Sequence, residues 1–472
     1  MINHTLRNLF GLDSDLSVTG LSADSRNVKP GMVFAALPGT AMDGRDFIPQ
    51  AIEKGAIAIL SVEGVKASVP VISVSKPRLV YAQTAAKLYP GQPSTLVAMT
   101  GTNGKSSTVD FLRQIWAVAG FNAACFGTLG VTSFSGYKPM THTTPDALAL
   151  HQTLSELASE GVTHAAMEAS SHGLKQYRMD GVKVSASGFS NLTQDHFDYH
   201  PSLQDYFTSK ARLFIDLTPR GAPVVINTND KFGKHLVEVC EGLGQDVLQV
   251  GWTGKDIRID EVMPHGSGQL LTLVVHGTRY KVDLPLAGEF QALNAVAALG
   301  LAMKTGVEAE VAIEALGYLK GVAGRLELAG QKDGAPVYVD FAHTEDGLDK
   351  LLRSVRPHTA GDIIIAFGCG GDRDPDKREK MGRVAAKLAD QVIVTDDNPR
   401  TEDAALIRKA VLKGCPDALE IGDRKLAIAE GIRRLGPRDC LVIAGKGHEQ
   451  GQIVGKTVIP FSDVNVAREY LS

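Results

Sequence analysis

The sequence predicts an α/β protein of three domains, and three observations carry that prediction. The apolar run 96–99 breaks at the turn Thr100-Gly101-Thr102-Asn103-Gly104-Lys105-Ser106-Ser107 and re-emerges as the amphipathic run 109–116, the order of a strand, a loop and a helix. From about 94 to 325 short apolar runs alternate with helical stretches, which reads as a mostly parallel, doubly wound sheet. The same alternation returns from about 326 to 472 as a second such sheet. A length of 472 residues suits about three domains of ~150 residues. Pro90-Gly91-Gln92-Pro93 makes a linker, because two prolines and a glycine break any helix. The expected domains are 1–92, 93–324 and 325–472.

Composition bounds the function. A hydrophobic share of 44% against 22% charged residues is ordinary for a soluble globular protein. A net charge of −4, from 49 basic and 53 acidic residues, argues against a generic nucleic-acid surface. The cysteines Cys125, Cys240, Cys369, Cys415 and Cys440 are scattered and form no C-x-x-C pair, which suits a reducing cytoplasm and offers no metal framework. The start of the chain lacks a basic segment followed by an apolar core, so no export signal is expected. No run approaches about eighteen uninterrupted apolar residues, so no membrane span is expected either.

In order along the chain, residues 1 to about 90 hold β-like runs at 32–37 and 56–60, a short helix at 49–54, and turn-rich segments between them, a small α/β module. Asp24-Ser25-Arg26 could bind an anion or simply cap a turn. The central block places strands at 96–99, 123–126, 163–168, 187–191 and 224–227, with helices after Lys105 and at 146–160. The stretch 250–282 alternates apolar and polar residues between glycine turns, as antiparallel strands do, and an alanine-rich helix follows at 291–299. The last block places strands at 337–341, 362–367, 391–395 and 440–444, and helices at 344–352, 377–388, 404–411 and 425–435.

Chemistry concentrates at the strand ends. Gly101 and Gly104 let backbone N–H groups turn inward, the helix N-terminus faces an anion, Lys105 can reach outer phosphates, and Ser106 can place a hydroxyl on Mg²⁺. The strict phosphate-loop pattern wants a first glycine where Met99 stands, and the alternative is an ordinary strand–helix turn with an exposed lysine. Glu168 ends a strand opposite that loop, as a Mg²⁺ ligand or an ordinary strand-end acid. His196 is a mediocre Mg²⁺ ligand by type, and Lys210 reads locally as a solvated helix lysine. Three loops of the last block, Gly370-Gly371-Asp372-Arg373-Asp374, Asp396-Asp397-Asn398-Pro399-Arg400 and Gly445-Lys446-Gly447-His448-Glu449, should line one sheet edge. Their mixture of arginines and carboxylates can hold a zwitterion, or can be solvated loop charge. The G-x-G-x-x-G spacing is missing at Gly370-Gly371, which argues against an oxidoreductase.

Thr100 to Ser106, Glu168-Ala169-Ser170-Ser171-His172-Gly173-Leu174, Asp195-His196-Phe197-Asp198-Tyr199-His200, Gly324-Arg325-Leu326-Glu327 and Asp340-Phe341-Ala342-His343-Thr344 together closely resemble the ATP-dependent Mur ligases. Asp24-Ser25-Arg26, His142-Thr143-Thr144-Pro145, Asp397-Asn398-Pro399-Arg400 and Gly445 to Glu449 resemble the diaminopimelate-adding members. These motifs run from residue 24 to 449, nearly the whole chain.

The resemblance implies an N-terminal domain for the UDP end of a substrate, a central ATPase, and a C-terminal Rossmann-like domain that brings an amino acid. It implies ligation of meso-diaminopimelate to UDP-N-acetylmuramoyl-L-alanyl-D-glutamate with ATP and Mg²⁺, in peptidoglycan precursor synthesis. Ala23, Ser25, Thr40, Ala41 and Met42 would hold the uridine diphosphate, and His142, Thr143, Thr144, Ser170, Gln176 and Arg178 the muramoyl-dipeptide. Gly101, Thr102, Asn103, Gly104, Lys105, Ser106 and Ser107 would bind ATP phosphates, helped by Asn294 and Arg325. Ser106, Glu168 and His196 match magnesium positions. Lys210 matches a lysine carried as a carbamate, which replaces the local reading: CO₂ addition turns a cation into an anionic oxygen ligand. Arg373, Asp397, Asn398, Pro399, Arg400, Gly445 and Glu449 match diaminopimelate contacts, Arg400 pairing with the second carboxylate that lysine lacks. Asp340 and His343 would orient phosphate or amine, or simply cap a turn. His142 stands where the family commonly has asparagine, and Ser106-Ser107 stand in for threonines.

Overall fold

The computed structural model describes residues 4–39, 42–140, 142–193, 199–266 and 268–472. They fall into two compact units, one of residues 1–250 with 300–308 and one of 251–299 with 309–472. The first unit opens with a four-stranded parallel sheet, β1 Gly20–Ser22, β2 Met32–Ala35, β3 Ala58–Ser61 and β4 Val71–Ser73, in that order. The runs expected at 32–37 and 56–60 are β2 and β3, and the short helix is Ile48–Glu53. Helix Pro77–Leu88 packs against β1 and β3 and was not expected. It buries Tyr81, Ala82, Thr84 and Ala85, a face of mostly small residues that gives little helical periodicity.

The larger sheet of this unit contains β5 Thr95–Thr100, β6 Ala123–Gly127, β7 Gly130–Ser133, β8 Gly136–Lys138, β9 His164–Glu168, β10 Ala186–Phe189, β11 Pro223–Asn227 and β12 Asp246–Gly251. Their order is β12-β11-β10-β5-β9-β6-β7-β8, parallel as far as β6, with β7 and β8 antiparallel at the edge. Strand order reverses beside β5, so the crevice at the carboxyl ends of β5, β9 and β10 is where an open α/β sheet takes a ligand. Helices start where side chains cap them: Asp146 accepts from the amides of Leu148 and Ala149, and Ser202 from that of Asp205. On one face Leu96, Ala98, Phe126, Met167 and Phe189 join Leu150, Leu154 and Phe214 in a single core.

The second unit holds an antiparallel meander, β13 Ile257–His265, β14 Gly268–Val275 and β15 Thr278–Leu284. It also holds β16 Glu327–Lys332, β17 Ala335–Asp340, β18 Ile363–Phe367, β19 Gln391–Val394, β20 Leu419–Glu420 and β21 Cys440–Ala444. These are ordered β16-β17-β21-β18-β19-β20, parallel except for β16. Ile363, Ile365 and Phe367 face one core while Ile364 and Ala366 face another. A strand covered on both faces reads as a continuous apolar run, which is why the strands expected at 337–341, 362–367 and 440–444 were legible while β16 and β20, only partly buried, were not expected. The hairpin β22 Gly451–Val454 with β23 Thr457–Pro460 and the helix Asp463–Leu471 were not expected. All five cysteines are buried free thiols, and no helix among the described residues is long and apolar enough to cross a membrane.

Candidate active site

Strand β5 delivers the glycine-rich loop. Gly101 has φ 145°, and a Cβ there would lie 1.9 Å from Ser190 Oγ, so the loop needs glycine to pass this close to the end of β10. The 190–193 segment braces it: the Thr102 amide donates to the Asn191 carbonyl (2.9 Å), the Asn103 amide to Asn191 Oδ1 (3.1 Å), and Ser190 Oγ to the Asn103 carbonyl (2.6 Å). Gly104, at φ 87°, begins helix Lys105–Val118 with no side-chain cap. The first helical amides therefore face the crevice without an intrahelical acceptor, an anion site by construction. Lys105 Nζ folds over the loop and donates to the carbonyls of Gly101 (3.0 Å) and Thr102 (2.8 Å).

Glu168 sits at the carboxyl end of β9, in register with Met99 of β5, and is 2% exposed. Its Oε1 accepts from Ser106 Oγ (2.9 Å) and the Thr128 amide (2.8 Å), and its Oε2 from Thr128 Oγ1 (3.3 Å). Gly127 makes room, since a Cβ there would lie 2.1 Å from Glu168 Oε1. Thr144 Oγ1 donates to the Glu168 carbonyl (2.9 Å) and accepts from the Ser170 amide (3.0 Å), while Thr143 and Thr128 share a hydroxyl contact of 2.9 Å. Arg178 Nη1 donates to the Thr144 carbonyl (2.7 Å) and Nη2 to Gln176 Oε1 (2.8 Å), and Gln176 Nε2 donates to the Tyr199 hydroxyl (3.2 Å). Burial and then the neighbouring Arg78 hold the Arg178 guanidinium below its ordinary value. Thr143, Thr144, Ser170, Gln176 and Arg178 thus belong to one network around Glu168. Gly127 and Thr128 were missed, although they directly follow the strand expected at 123–126.

The local reading of Lys210 as a solvated lysine is corrected. It is 1% exposed, Nζ donates to the Gly101 carbonyl (2.7 Å), and the ammonium lies 4.3 Å from the Tyr206 ring centre. Tyr206 and Lys210 are one helical turn apart on the buried face of Leu203–Arg212, which carries the lysine inward. His200, also missed, is fully buried; Nδ1 pairs with Asp205 Oδ2 (2.6 Å) and Nε2 with Ser171 Oγ (3.0 Å). It ties the segment after Glu168 to the helix of Lys210. Lys175 and then His200 hold the Asp205 carboxyl below the usual carboxylate range.

Ser25 is buried and donates to Gln50 Oε1 (2.6 Å). Ala23, Met42 and His142 are exposed. Thr40, Ala41 and His196 lie outside the described residues.

In the second unit the loops after β18, β19 and β21, neighbouring strands of the sheet, converge as expected. Lys446, fully buried, donates to Asn398 Oδ1 (3.0 Å) and Glu449 Oε2 (2.7 Å), and Asn398 Nδ2 donates to that same Glu449 oxygen (2.9 Å). Burial raises the Glu449 carboxyl, but Lys446 and Asn398 outweigh it and hold it below the ordinary range. Arg400, in the left-handed region at φ 53°, donates from Nη1 to the Gly371 carbonyl (2.7 Å). A Cβ on Gly370 would meet Arg400 Nη1 at 2.8 Å and Arg373 Cγ at 3.9 Å, so both arginines border this glycine. Asp397 is buried beside Gly445, whose added Cβ would lie 2.6 Å from Asp397 Oδ2, and Pro399 is buried next to Arg400.

Asp340, at the end of β17, accepts the Leu326 amide on one oxygen and the Ala342 amide on the other, each at 2.7 Å. Burial raises its carboxyl and the Arg325 guanidinium opposes that. His343 is exposed, Nδ1 lying 2.9 Å from the Phe341 carbonyl. Asn294 donates to Gln291 Oε1 (3.1 Å), and Gln291 donates to the Arg325 carbonyl (3.2 Å), which links the two expected nucleotide contacts.

Known proteins resemble this chain along nearly its full length. Family models described as Mur ligase family, catalytic domain; Mur ligase middle domain; and Mur ligase, glutamate ligase domain match residues 17–89, 99–302 and 324–447. The chain is 50% identical over 458 residues to the UDP-N-acetylmuramoyl-L-alanyl-D-glutamate--2,6-diaminopimelate ligase of Agrobacterium fabrum, covering 97% of this chain and 94% of that one. It is 49% identical over 464 residues to the ligase of the same name from Mesorhizobium japonicum, covering 97% and 96%. A solved structure of a ligase of that name superposes with a TM-score of 0.75 at 30% identity, over 100% of this chain and 99% of the other. With the phosphate loop, the buried strand-end glutamate and the three-loop cluster in one sequence, and such identity along almost its full length, this chain belongs to the Mur ligase family.

Proposed function

We propose that the chain joins meso-2,6-diaminopimelate to the D-glutamyl residue of UDP-N-acetylmuramoyl-L-alanyl-D-glutamate, with conversion of ATP to ADP and phosphate. The observation that carries this reading is the Glu168 carboxylate, held by Ser106 of the phosphate loop and by Thr128 at the mouth of the crevice. The relatives that are about half identical over nearly the whole chain carry that activity in their names. The family resemblance supports a division at 1–92, 93–324 and 325–472, for the uridine-diphosphate end, ATP and the amino acid.

The donor set fits Mg²⁺. Ser106 and Glu168 offer hard oxygens beside the anion site, and Mg²⁺ takes few protein ligands when phosphate oxygens complete its shell. The ion would neutralise charge between carboxylate and phosphates. His196 and a carbamate on Lys210 would complete the shell, and the burial of Lys210 against Gly101 supports the latter. Gly101 to Ser107 would cradle the phosphates, with Lys105 leaving its loop carbonyls for the outer phosphate. Asn294 and Arg325 would fix the nucleotide, and Asp340 would position Arg325 and His343 through the turn it caps.

Arg178, Gln176, Ser170, Thr144, Thr143 and His142 would present the dipeptide, and Ala23, Ser25 and the 40–42 loop the uridine diphosphate. An oxygen of the D-glutamyl carboxylate, the side-chain γ one by the family resemblance, attacks the γ-phosphorus and ADP departs. A neutral amine of diaminopimelate then attacks the acyl carbon of the acyl phosphate, the amide C–N bond forms as the C–O bond to phosphate breaks, and the nitrogen gives up one proton as inorganic phosphate leaves. Positioning and charge stabilisation supply most of the acceleration. Arg400, with Arg373, would pair with the distal carboxylate, and Glu449 with the distal ammonium, beside Asp397, Asn398, Pro399 and Gly445. A cytoplasmic setting would suit the five free cysteines. Phosphate release that needs both the muramoyl-dipeptide and diaminopimelate tests the reading; release with neither would contradict it.

A further inference from the structure

We propose that the hairpin β22–β23 is the positioning element that sets amino-acid specificity, by holding Arg400 and Asn398 in the geometry that meets diaminopimelate. The inference rests on the reading of Arg400 given above. A residue with a Cβ reaches φ near +53° only when its surroundings hold it there. The hairpin supplies those surroundings. The Arg400 amide donates to the Ile453 carbonyl (3.0 Å) and the Gly455 amide donates to the Arg400 carbonyl (2.7 Å), so Arg400 adds to β22 as a one-residue strand bridged to Val454. The Ile453 amide donates to Asn398 Oδ1 (2.9 Å), and Gln452 Nε2 donates to the Asp397 carbonyl (2.6 Å).

The consequences reach both ends of an incoming diamino acid. With Oδ1 receiving Ile453 and Lys446, the Asn398 carboxamide has one orientation, and its Nδ2 is aimed at Glu449. The left-handed turn sends the Arg400 side chain back over Gly370 and Gly371. The hairpin itself gains little from burial: β23 is exposed throughout, and Val458 and Ile459 are 64% and 46% exposed. A two-residue turn opened by Gly455 at φ 59° closes it locally. Its main-chain groups are therefore matched to residues 397–400 more than to a core.

The experiment uses the full-length enzyme. Both the N–H and the C=O of Ile453 point away from β23, so Ile453→Pro removes the donor to Asn398 while sparing the hairpin's own ladder. The KM for diaminopimelate should rise about tenfold or more, the scale of a lost hydrogen bond in a charged network, with selectivity over L-lysine falling alongside. The KM for ATP and kcat at saturating diaminopimelate should stay near wild type, and Ile453→Val, which keeps the donor, should behave as wild type. Should Ile453→Pro not fold by circular dichroism, replacement of 453–458 with a short glycine linker decides the question with the same readouts. An unchanged diaminopimelate KM in these variants, beside a raised KM in Arg400→Ala, overturns the hairpin's role alone. An unchanged KM in Arg400→Ala overturns both the pocket reading and this inference.

Discussion

Ser106 donates its hydroxyl hydrogen to Glu168 Oε1 across 2.9 Å, although 62 residues separate the two in the chain. Parallel pairing of β5 with β9 sets Met99 against Glu168, and the glycine turn after β5 returns the chain as a helix whose second residue is Ser106. One strand register and one tight loop thus place a hydroxyl and a carboxylate on the same side of an anion site.

Removing the charge at Glu168 tests that pairing. Glu168→Gln keeps the shape and an acceptor for Thr128 but loses the anion, so ATP turnover should fall about 100-fold or more with melting temperature nearly unchanged. Gly127→Ala should act on the same carboxylate by pushing it out of place, because the new Cβ would lie 2.1 Å from Oε1. A cost of about 1–3 kcal/mol in stability is expected, with a parallel loss of magnesium-dependent activity. Thermal melts and phosphate release on both variants check this.

Lys210→Met retains a long apolar stem for the buried site and removes the amine that meets the Gly101 carbonyl. Activity should drop about 100-fold or more, and the carbamate resonance that the account expects of wild-type enzyme in labelled bicarbonate should be absent from the variant. A variant that keeps full turnover would exclude the lysine from the magnesium shell.

Acid should loosen the clamp between His200 and Asp205. The folded Asp205 carboxyl is held low by Lys175 and His200, so its contribution is complete above the unfolded carboxylate pKa and is lost as pH falls through the lower folded value. Wild type should therefore be more stable than Asp205→Asn near neutrality, with the gap closing as pH drops below ~4. Melting temperatures of the two proteins across that range provide the check, and a constant gap would count against the clamp.

Arg400→Ala should raise the KM for diaminopimelate at least about tenfold, since a charged pair to the distal carboxylate is lost, and should leave the KM for ATP unchanged. Initial-rate kinetics with each substrate varied in turn measure it.

How far the sequence reached depended on whether the physics was local. The phosphate loop was legible because its glycines, lysine and serine act within eight residues of one another. The buried strands of the second sheet were legible because a strand such as 363–367 is apolar on both faces. Lys210 was misread from its own helix, since its burial against Gly101 is set by residues over a hundred positions away; the family resemblance supplied the different reading. Gly127 and Thr128 escaped notice because their meaning depends on where the Glu168 side chain lands. The hairpin at 451–460 carried a signal, Gly455 between apolar pairs, but its partners at 397–400 are named only by tertiary pairing.

The most direct test of the account is amino-acid-dependent phosphate release with the muramoyl-dipeptide and ATP, measured for meso-diaminopimelate, L-lysine and L-ornithine at matched concentrations. The account predicts rapid release with diaminopimelate and only slow release with the two monocarboxylic diamines. Equal rates for lysine and diaminopimelate would contradict it.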